Sequence, residues 1–269
     1  MIAATNFLAE IVARKRETIA RAKAAMNVYD LIDRARCVRK TSQPFALRSA
    51  ITSSTQQFAV IAEFKRASPS KGNINSEADP ASVALEFEKN GAAAVSVLTE
   101  ENYFQGSLDD LQAAITAVSI PVLRKDFIID EFQVFETAAA GADALLLIAT
   151  ALTNEKLASL RRLAEEELQM NALVEVHNGE EMDCAVDCGA TLIGVNNRDL
   201  RTFEVSLSAS HQCASLAPAN VILISESGLR EKAELERLRG LGFQGFLVGE
   251  ALMCADDPGE VLRYLLEQE

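Results

Sequence analysis

The sequence predicts an α/β protein, a (β/α)8 TIM barrel with an extra N-terminal helical segment. Three observations carry this. Eight short apolar runs recur, at 59–63, 93–98, 121–124, 144–148, 172–176, 191–195, 221–225 and 245–248. They are continuous rather than alternating, the pattern of strands buried on both faces. Their starts lie 19 to 34 residues apart, with helical patterns between, the spacing of βα units. A doubly wound open sheet would usually have fewer strands, and no G-x-G-x-x-G follows the first run.

Residues 1–45 read as an extension packing on a barrel domain of 46–269. Leu8, Ile11, Val12, Lys15 and Ile19 form one helical stripe, with Asn6 as a candidate cap. The stripe needs an apolar partner, so the helix is expected to cap the barrel mouth or its side. A membrane-surface role for its basic face fits poorly with the absence of Trp. The stretch 66–79, rich in Ser, Pro, Lys and Gly, is a candidate lid carrying Lys71. Thr153 caps a helix presenting Leu157, Leu160, Ala164 and Leu168 on one face. A helix over 231–239 presents Leu235 and Leu238 and stops at Gly240. Asp256-Asp257-Pro258 opens the last helix, with Val261, Leu262 and Leu265 turned inward.

A chain of 269 residues fits one such barrel. Its 49% hydrophobic and 24% charged content is that of a globular domain, not a disordered one. The net charge is −13. Only residues 1–40 are basic, with nine Lys and Arg against four Asp and Glu, which argues against a nucleic-acid partner. An anionic substrate must therefore be attracted by a few local cations and N–H groups. The five cysteines are odd in number and scattered, and no signal peptide opens the chain, so reduced thiols and a cytoplasmic location are expected. Cys184 and Cys188 are one helical turn apart without a second ligand pair, which suits small helix residues better than a metal site. The run 144–149 is far too short to span a membrane.

In this fold the chemistry lies at the C-terminal ends of the strands. Those ends bring Glu63, Lys65, Lys125 and Glu175 to one mouth, two lysines and two carboxylates that could share acid and base duties. Ser227-Gly228 and Gly249-Glu250 follow the last two strands, where barrels often hold a phosphate. His177 sits one residue past an inward position and reads as a packing or rim residue rather than a base.

Eight segments in order resemble one family: IAEFKRASPSKG (61–72), SVLTE (96–100), FQGS (104–107), LRKDF (123–127), EVH (175–177), GVNNRDL (194–200), SESG (225–228) and LVGEALM (247–253). They are similar to the indole-3-glycerol-phosphate synthases, from about residue 8 to the end. The resemblance implies a carboxy-lyase of tryptophan biosynthesis that closes the indole ring of 1-(2-carboxyphenylamino)-1-deoxyribulose 5-phosphate, releasing CO₂ and water. It implies no metal and no organic cofactor, and a monomer acting on a small anionic substrate with no membrane partner.

Residue by residue, the resemblance implies that Lys125 is the general acid of ring closure and that Lys65 lies near the substrate carboxylate and serves the dehydration. It makes Glu175 and Glu63 catalytic carboxylates, with the base role undivided between them. Asn196 and Glu226 would orient these groups, and Arg198 would meet the anthranilate carboxylate. Phe104, Phe127, Leu147 and Leu247 match the apolar walls, and Ser68, Ser227, Gly228, Gly249 and Glu250 the phosphate end. Two departures stand out: Phe64 replaces an aliphatic residue, and Glu250 replaces the Ser of some relatives. The second is harmless if only its N–H is used and its side chain turns away. The chain ends too soon after Gly249 for a fused isomerase barrel. Two rivals remain. An aldolase would use Lys125 as a Schiff-base nucleophile but would not require Glu175 and Arg198. A non-catalytic phosphate-ligand binder would be expected to have lost Lys65, Lys125 or Glu175.

Overall fold

The computed structural model describes residues 7–199 and 202–267. Its strands are β1 (Ala59–Phe64), β2 (Ala94–Leu98), β3 (Val122–Lys125), β4 (Ala144–Ile148), β5 (Asn171–Val176), β6 (Leu192–Asn196), β7 (Ile222–Glu226) and β8 (Phe243–Val248). Each pairs in parallel with the next, and β8 returns to β1, so they close into the expected (β/α)8 barrel. Closure removes every exposed strand edge. Each strand begins and ends within two residues of the apolar run that predicted it.

The continuous apolar runs are explained by two layers of burial. Ile61, Leu123, Leu146, Leu173, Ile224 and Leu247 fill the barrel interior. Their neighbours Val60, Ala62, Leu145, Leu147, Val174 and Val248 face the helices outside. Side chains alternate along each strand, so both sets are apolar.

The helices are α1 (Phe7–Ala25), α2 (Val28–Arg39), α3 (Ala46–Ser53), α4 (Pro80–Lys89), α5 (Leu108–Ala117), α6 (Glu131–Ala140), α7 (Asn154–Arg162), α8 (Gly179–Asp187), α9 (Ser208–Ala214), α10 (Lys232–Gly240), α11 (Glu250–Met253) and α12 (Pro258–Leu266). Thr153 caps α7 by accepting from the Lys156 N–H, and a π turn over Leu163–Glu167 extends it. Asp257 caps α12 ahead of Pro258. Helix α10 opens with a capping box between Glu231 and Glu234. It ends at Gly240, but the left-handed glycine of the following turn is Gly242, at φ 101°.

The helices before β1 serve both ends of the barrel. α1 buries Phe7, Ile11, Lys15 and Ile19. Asn6, the expected cap, lies outside the described residues. The Lys15 ammonium reaches Asp126 at 2.7 Å, just past β3, and both groups are buried. α2 packs along α6, and its Arg39 donates to the carbonyls of Ala142, Leu168 and Gln169. α3 sends Leu47 and Ile51 into the interior cluster at the start of the strands, where the Arg48 N–H bonds Asn171 Oδ1. α1 thus reaches the C-terminal end of the barrel and α3 closes the other. Among the described residues no helix is long and apolar enough to cross a membrane.

Candidate active site

A cavity of about 340 Å³ opens at the C-terminal ends of the strands. It brings together Glu63, Lys65, Ser68, Phe104, Lys125, Phe127, Glu175, Asn196, Arg198, Glu226, Ser227, Gly228, Leu247, Gly249 and Glu250, all but one of the residues singled out from the sequence. The exception is Leu147. It faces the outer helical layer, while Leu146 and Ile148 on either side of it line the cavity. The expected wall position is therefore off by one residue, which in a strand means the opposite face. Phe7 joins the apolar wall without having been predicted, and packs edge-on against Tyr103 and Phe203 at 4.8 and 5.3 Å between ring centres.

The floor of the cavity is ionic. Lys125 at the end of β3 donates to Glu175 of β5 at 3.0 Å and to Glu226 of β7 at 2.8 Å. Lys65 donates to Glu63 of β1 at 2.7 Å. Parallel strands in matched register hold these groups level, with Asn196 beside Glu226 and Ile148 beside Glu175. Glu175 and Glu226 are 2% and 1% exposed. Burial works against the Lys125 ammonium, but Glu175, Glu226 and Glu63 outweigh it and raise its pKa. Burial also opposes ionisation of Glu175, yet Lys125 and His177 bring it down to about 2. Glu226 is pushed up to about 7 by burial, with Glu175 and Glu63 adding repulsion that Lys125 only partly offsets. Two neighbouring carboxylates are thus pushed in opposite directions, Glu226 toward the protonated form and Glu175 toward the ionised one. Its Oε1 is buried with no hydrogen-bond partner.

Two glycines make room for this floor. A Cβ on Gly194 would overlap Glu226 Oε1, and one on Gly249 would overlap Glu63 Oε1. Gly249 was expected to serve close approach of phosphate; the structure shows that its small size is already demanded by Glu63. The turn at Ser227-Gly228 is left-handed at both residues, with φ of 66° and 78°. Asn197 fixes that turn by donating Nδ2 to the carbonyls of Glu226 and Ser227.

At the mouth, Glu250 does not turn its side chain away. Its carboxylate meets Arg198 at 2.9 Å, Arg230 at 2.6 Å and Lys71 at 3.7 Å. Burial tends to raise its pKa, but Arg198, Lys71 and Arg230 hold it below the usual range. Arg198, expected to meet a benzoate, is occupied by Glu250 and by the carbonyl of Phe203. The stretch 66–79, the candidate lid, is anchored by Arg66, which pairs with both oxygens of Asp110 at 2.6 and 2.9 Å. It carries a two-residue hairpin, Ala67–Ser68 against Gly72–Asn73. Ser68 Oγ lies 3.3 Å from Ser70 Oγ and accepts from the Lys71 N–H. His177 lies behind the wall, with its ring against Glu175. Among the described residues no three His, Cys, Asp or Glu side chains converge as a metal-holding group.

A family model described as indole-3-glycerol phosphate synthase matches residues 8–265. The chain is 44% identical to the indole-3-glycerol phosphate synthase of Carboxydothermus hydrogenoformans over 263 residues, 97% of this chain and 99% of that protein. It is 54% identical to that of Mycolicibacterium gilvum over 200 residues, 74% and 73% of the two chains. Among solved structures it is similar in fold to 3-hexulose-6-phosphate synthase from Salmonella typhimurium, with a TM-score of 0.62 and 14% identity over 77% of this chain and 96% of that one. Thiamine phosphate pyrophosphorylase from Pyrococcus furiosus gives a TM-score of 0.55 and 18% identity over 77% and 92%.

Proposed function

We infer how this site works from one premise: the chain belongs to the indole-3-glycerol phosphate synthase family and is a carboxy-lyase of that activity. It turns 1-(2-carboxyphenylamino)-1-deoxyribulose 5-phosphate into indole-3-glycerol phosphate, a step of tryptophan biosynthesis. The residues of the floor divide the labour between the two halves of that reaction, ring closure and dehydration.

Ring closure joins the ring carbon that bears the carboxylate to the C2 carbonyl carbon of the sugar. The carbonyl oxygen takes a proton from Lys125 and becomes a hydroxyl. The C–CO₂ bond then breaks, CO₂ leaves and its electron pair restores the aromatic ring. In the dehydration the aniline nitrogen pushes out that hydroxyl, which departs as water with a proton from Lys65. A carboxylate finally removes a proton from C1 to form the indole double bond, and the Lys65–Glu63 pair is suited to this second half. Lys125, Glu175 and Glu226 serve the first.

One observation supports this division above others: the Lys125 ammonium bonded to both Glu175 and Glu226. A general acid must hold a proton to give it. A Schiff-base lysine must instead be free of it, with a depressed pKa, so the same pairing weighs against an aldolase. Asn196 bonds Glu175 and orients it. Phe104, Phe127, Leu146, Ile148 and Leu247 would flank the aromatic ring. The phosphate would lie against the N–H groups of Ser227, Gly228, Gly249 and Glu250, near Ser68. The enzyme would act as a cytoplasmic monomer without nucleic acid, and residues 1–45 would be an extension to a catalytic domain of 46–269.

Incubation with the substrate should give the absorbance and fluorescence of an indole. Borohydride added during turnover should leave the mass of Lys125 peptides unchanged. A reduced substrate adduct on Lys125 would overturn the general-acid role.

A further inference from the structure

One buried group beside the ionic floor was given no role in the division of labour above. His177 follows β5 and stands behind Glu175, outside the cavity lining. Its Nε2 lies 3.5 Å from Glu175 Oε1, is buried and has no hydrogen-bond partner. Its Nδ1 lies 3.0 Å from Glu181 Oε2 in the first turn of α8. Glu181 is itself fixed: the same oxygen accepts the His177 N–H at 2.9 Å, and its other oxygen accepts Asn178 Nδ2 at 2.9 Å. The ring is thus oriented from behind and aimed at the one oxygen of Glu175 that Lys125 does not take.

The chemistry of the ring decides its charge. A neutral imidazole carries a proton on one nitrogen and a lone pair on the other. Either neutral tautomer sets a lone pair against a carboxylate oxygen, at Glu175 or at Glu181. Only the doubly protonated ring faces both carboxylates with N–H groups. The charged and titratable neighbours are consistent with this: Glu175 on its own strand, Glu181 on α8 and Glu226 across on β7, with Lys125 beyond Glu175 and Cys213 of α9 facing Glu181. Burial alone would make the ring less basic, but the three carboxylates outweigh it.

We propose that His177 is a positioning residue for the ring-closing half of the reaction: an imidazolium steadied by Glu181 fixes the outer oxygen of Glu175 and keeps that carboxylate ionised beside Lys125. This rests on the reading that Glu175 is catalytic. Glu175 is then pinned at both oxygens, by a cation in the cavity and by a cation behind it. Without the second, its basicity rises and it competes for the proton that Lys125 must deliver.

The test compares His177→Gln, Glu181→Gln and Glu175→Gln in the full-length enzyme across pH. His177→Gln should lower kcat about tenfold with KM nearly unchanged, the cost of a displaced acid–base partner. Its acidic limb in kcat/KM should move up by about one pH unit. Glu181→Gln, which touches nothing in the cavity, should move that limb the same way by less. Glu175→Gln retaining full activity would overturn the role of Glu175 and this proposal with it. An inactive Glu175→Gln with unmoved pH profiles in the other two would overturn the role of His177 alone. The wild-type enzyme supplies an arm that needs no variant to fold. It has two histidines, so their ring signals are separable by NMR. One should titrate above the ordinary imidazole value and be assigned to His177. A His177 ring that titrates at or below the ordinary imidazole value would also overturn the proposal.

Discussion

Lys125 and Glu250 are each an ion ringed by opposite charges in the same cavity, and they behave as different materials. Lys125 and its partners sit on strands β3, β5 and β7, with side chains 12%, 2% and 1% exposed. Glu250, 15% exposed, draws its partners from loops: Arg198 is 20% exposed, while Lys71 and Arg230 are 49% and 60% exposed. Exposed pairs contribute about 0–1 kcal/mol, because water competes for both ions. Removing one partner of a buried pair costs roughly 3–5 kcal/mol, because the other is stranded. The difference suits the two tasks proposed for them. A proton donor needs a fixed place and a shifted pKa. A docking point for an incoming anion needs cations that can leave their present partner.

The largest break in this contrast is Lys125→Met. Loss of a positioned acid should cut turnover by about 10²–10⁴-fold while KM changes little. A variant with near-normal kcat would mean that the floor is only structural. Next comes Gly194→Ala, where a single methyl would push the Glu226 carboxylate off Lys125. A misplacement near 1 Å is worth about 10²-fold in rate. An active Gly194→Ala enzyme would show that the floor can yield.

Smaller, and measurable without mutation, is the pH response of the floor. Glu226 titrates at about 7, above its ordinary value, so its contribution to stability is complete below the ordinary carboxylate range and is lost as pH rises through about 7. Glu175, held at about 2, contributes above the ordinary range and loses that only in strong acid. The kcat/KM profile should therefore carry a limb near 7. Glu226→Gln should abolish it, and a limb that persists would assign it to another group. The mouth carboxylate Glu250, whose cations pull its pKa down, should add nothing near neutrality.

The same contrast explains what could be read in advance. The barrel was legible because burial on both strand faces writes itself as unbroken apolar runs. That very continuity hid the parity of each run, so Leu147 could not be told from Leu146 or Ile148. Lys125, Glu63 and Glu175 were legible from their place at strand ends and from the family resemblance. The loop-borne mouth was less so. Nothing local to Glu250 announces that Lys71, Arg198 and Arg230, distant in sequence, converge on its side chain. Phe7 in the aromatic wall, Lys15 on Asp126, and His177 behind Glu175 were missed as site features for a related reason. Phe7 and Lys15 are defined by partners brought from other elements, and of these two only Lys15, in the apolar stripe of α1, had its burial foreshadowed. His177 reads from the sequence as a packing or rim residue, and its partners Glu175 and Glu181 are near in sequence, but nothing local tells which way its ring points.

The smallest expected effect is at the mouth, and it tests the distinction most directly. Glu250→Gln removes one negative charge beside Ser227-Gly228 and Gly249 while keeping the side chain's shape. Lys71, Arg198 and Arg230 then face an incoming phosphate without an internal competitor. The KM for substrate, and the inhibition constant of inorganic phosphate, should fall by about 2–10-fold at low salt, the scale of an exposed pair. The gain should shrink as ionic strength rises, because Lys71 and Arg230 are open to water and such charges are screened within about 8–10 Å near physiological salt. Lys71→Met should move both constants the opposite way. In neither variant should kcat change by more than about threefold, since in the proposed division of labour no proton of the reaction passes through this cluster. A 10²-fold loss of kcat in Glu250→Gln at unchanged KM, the signature expected of Lys125, would place Glu250 with the buried floor and erase the division between a rigid chemical cluster and an exchangeable ionic mouth.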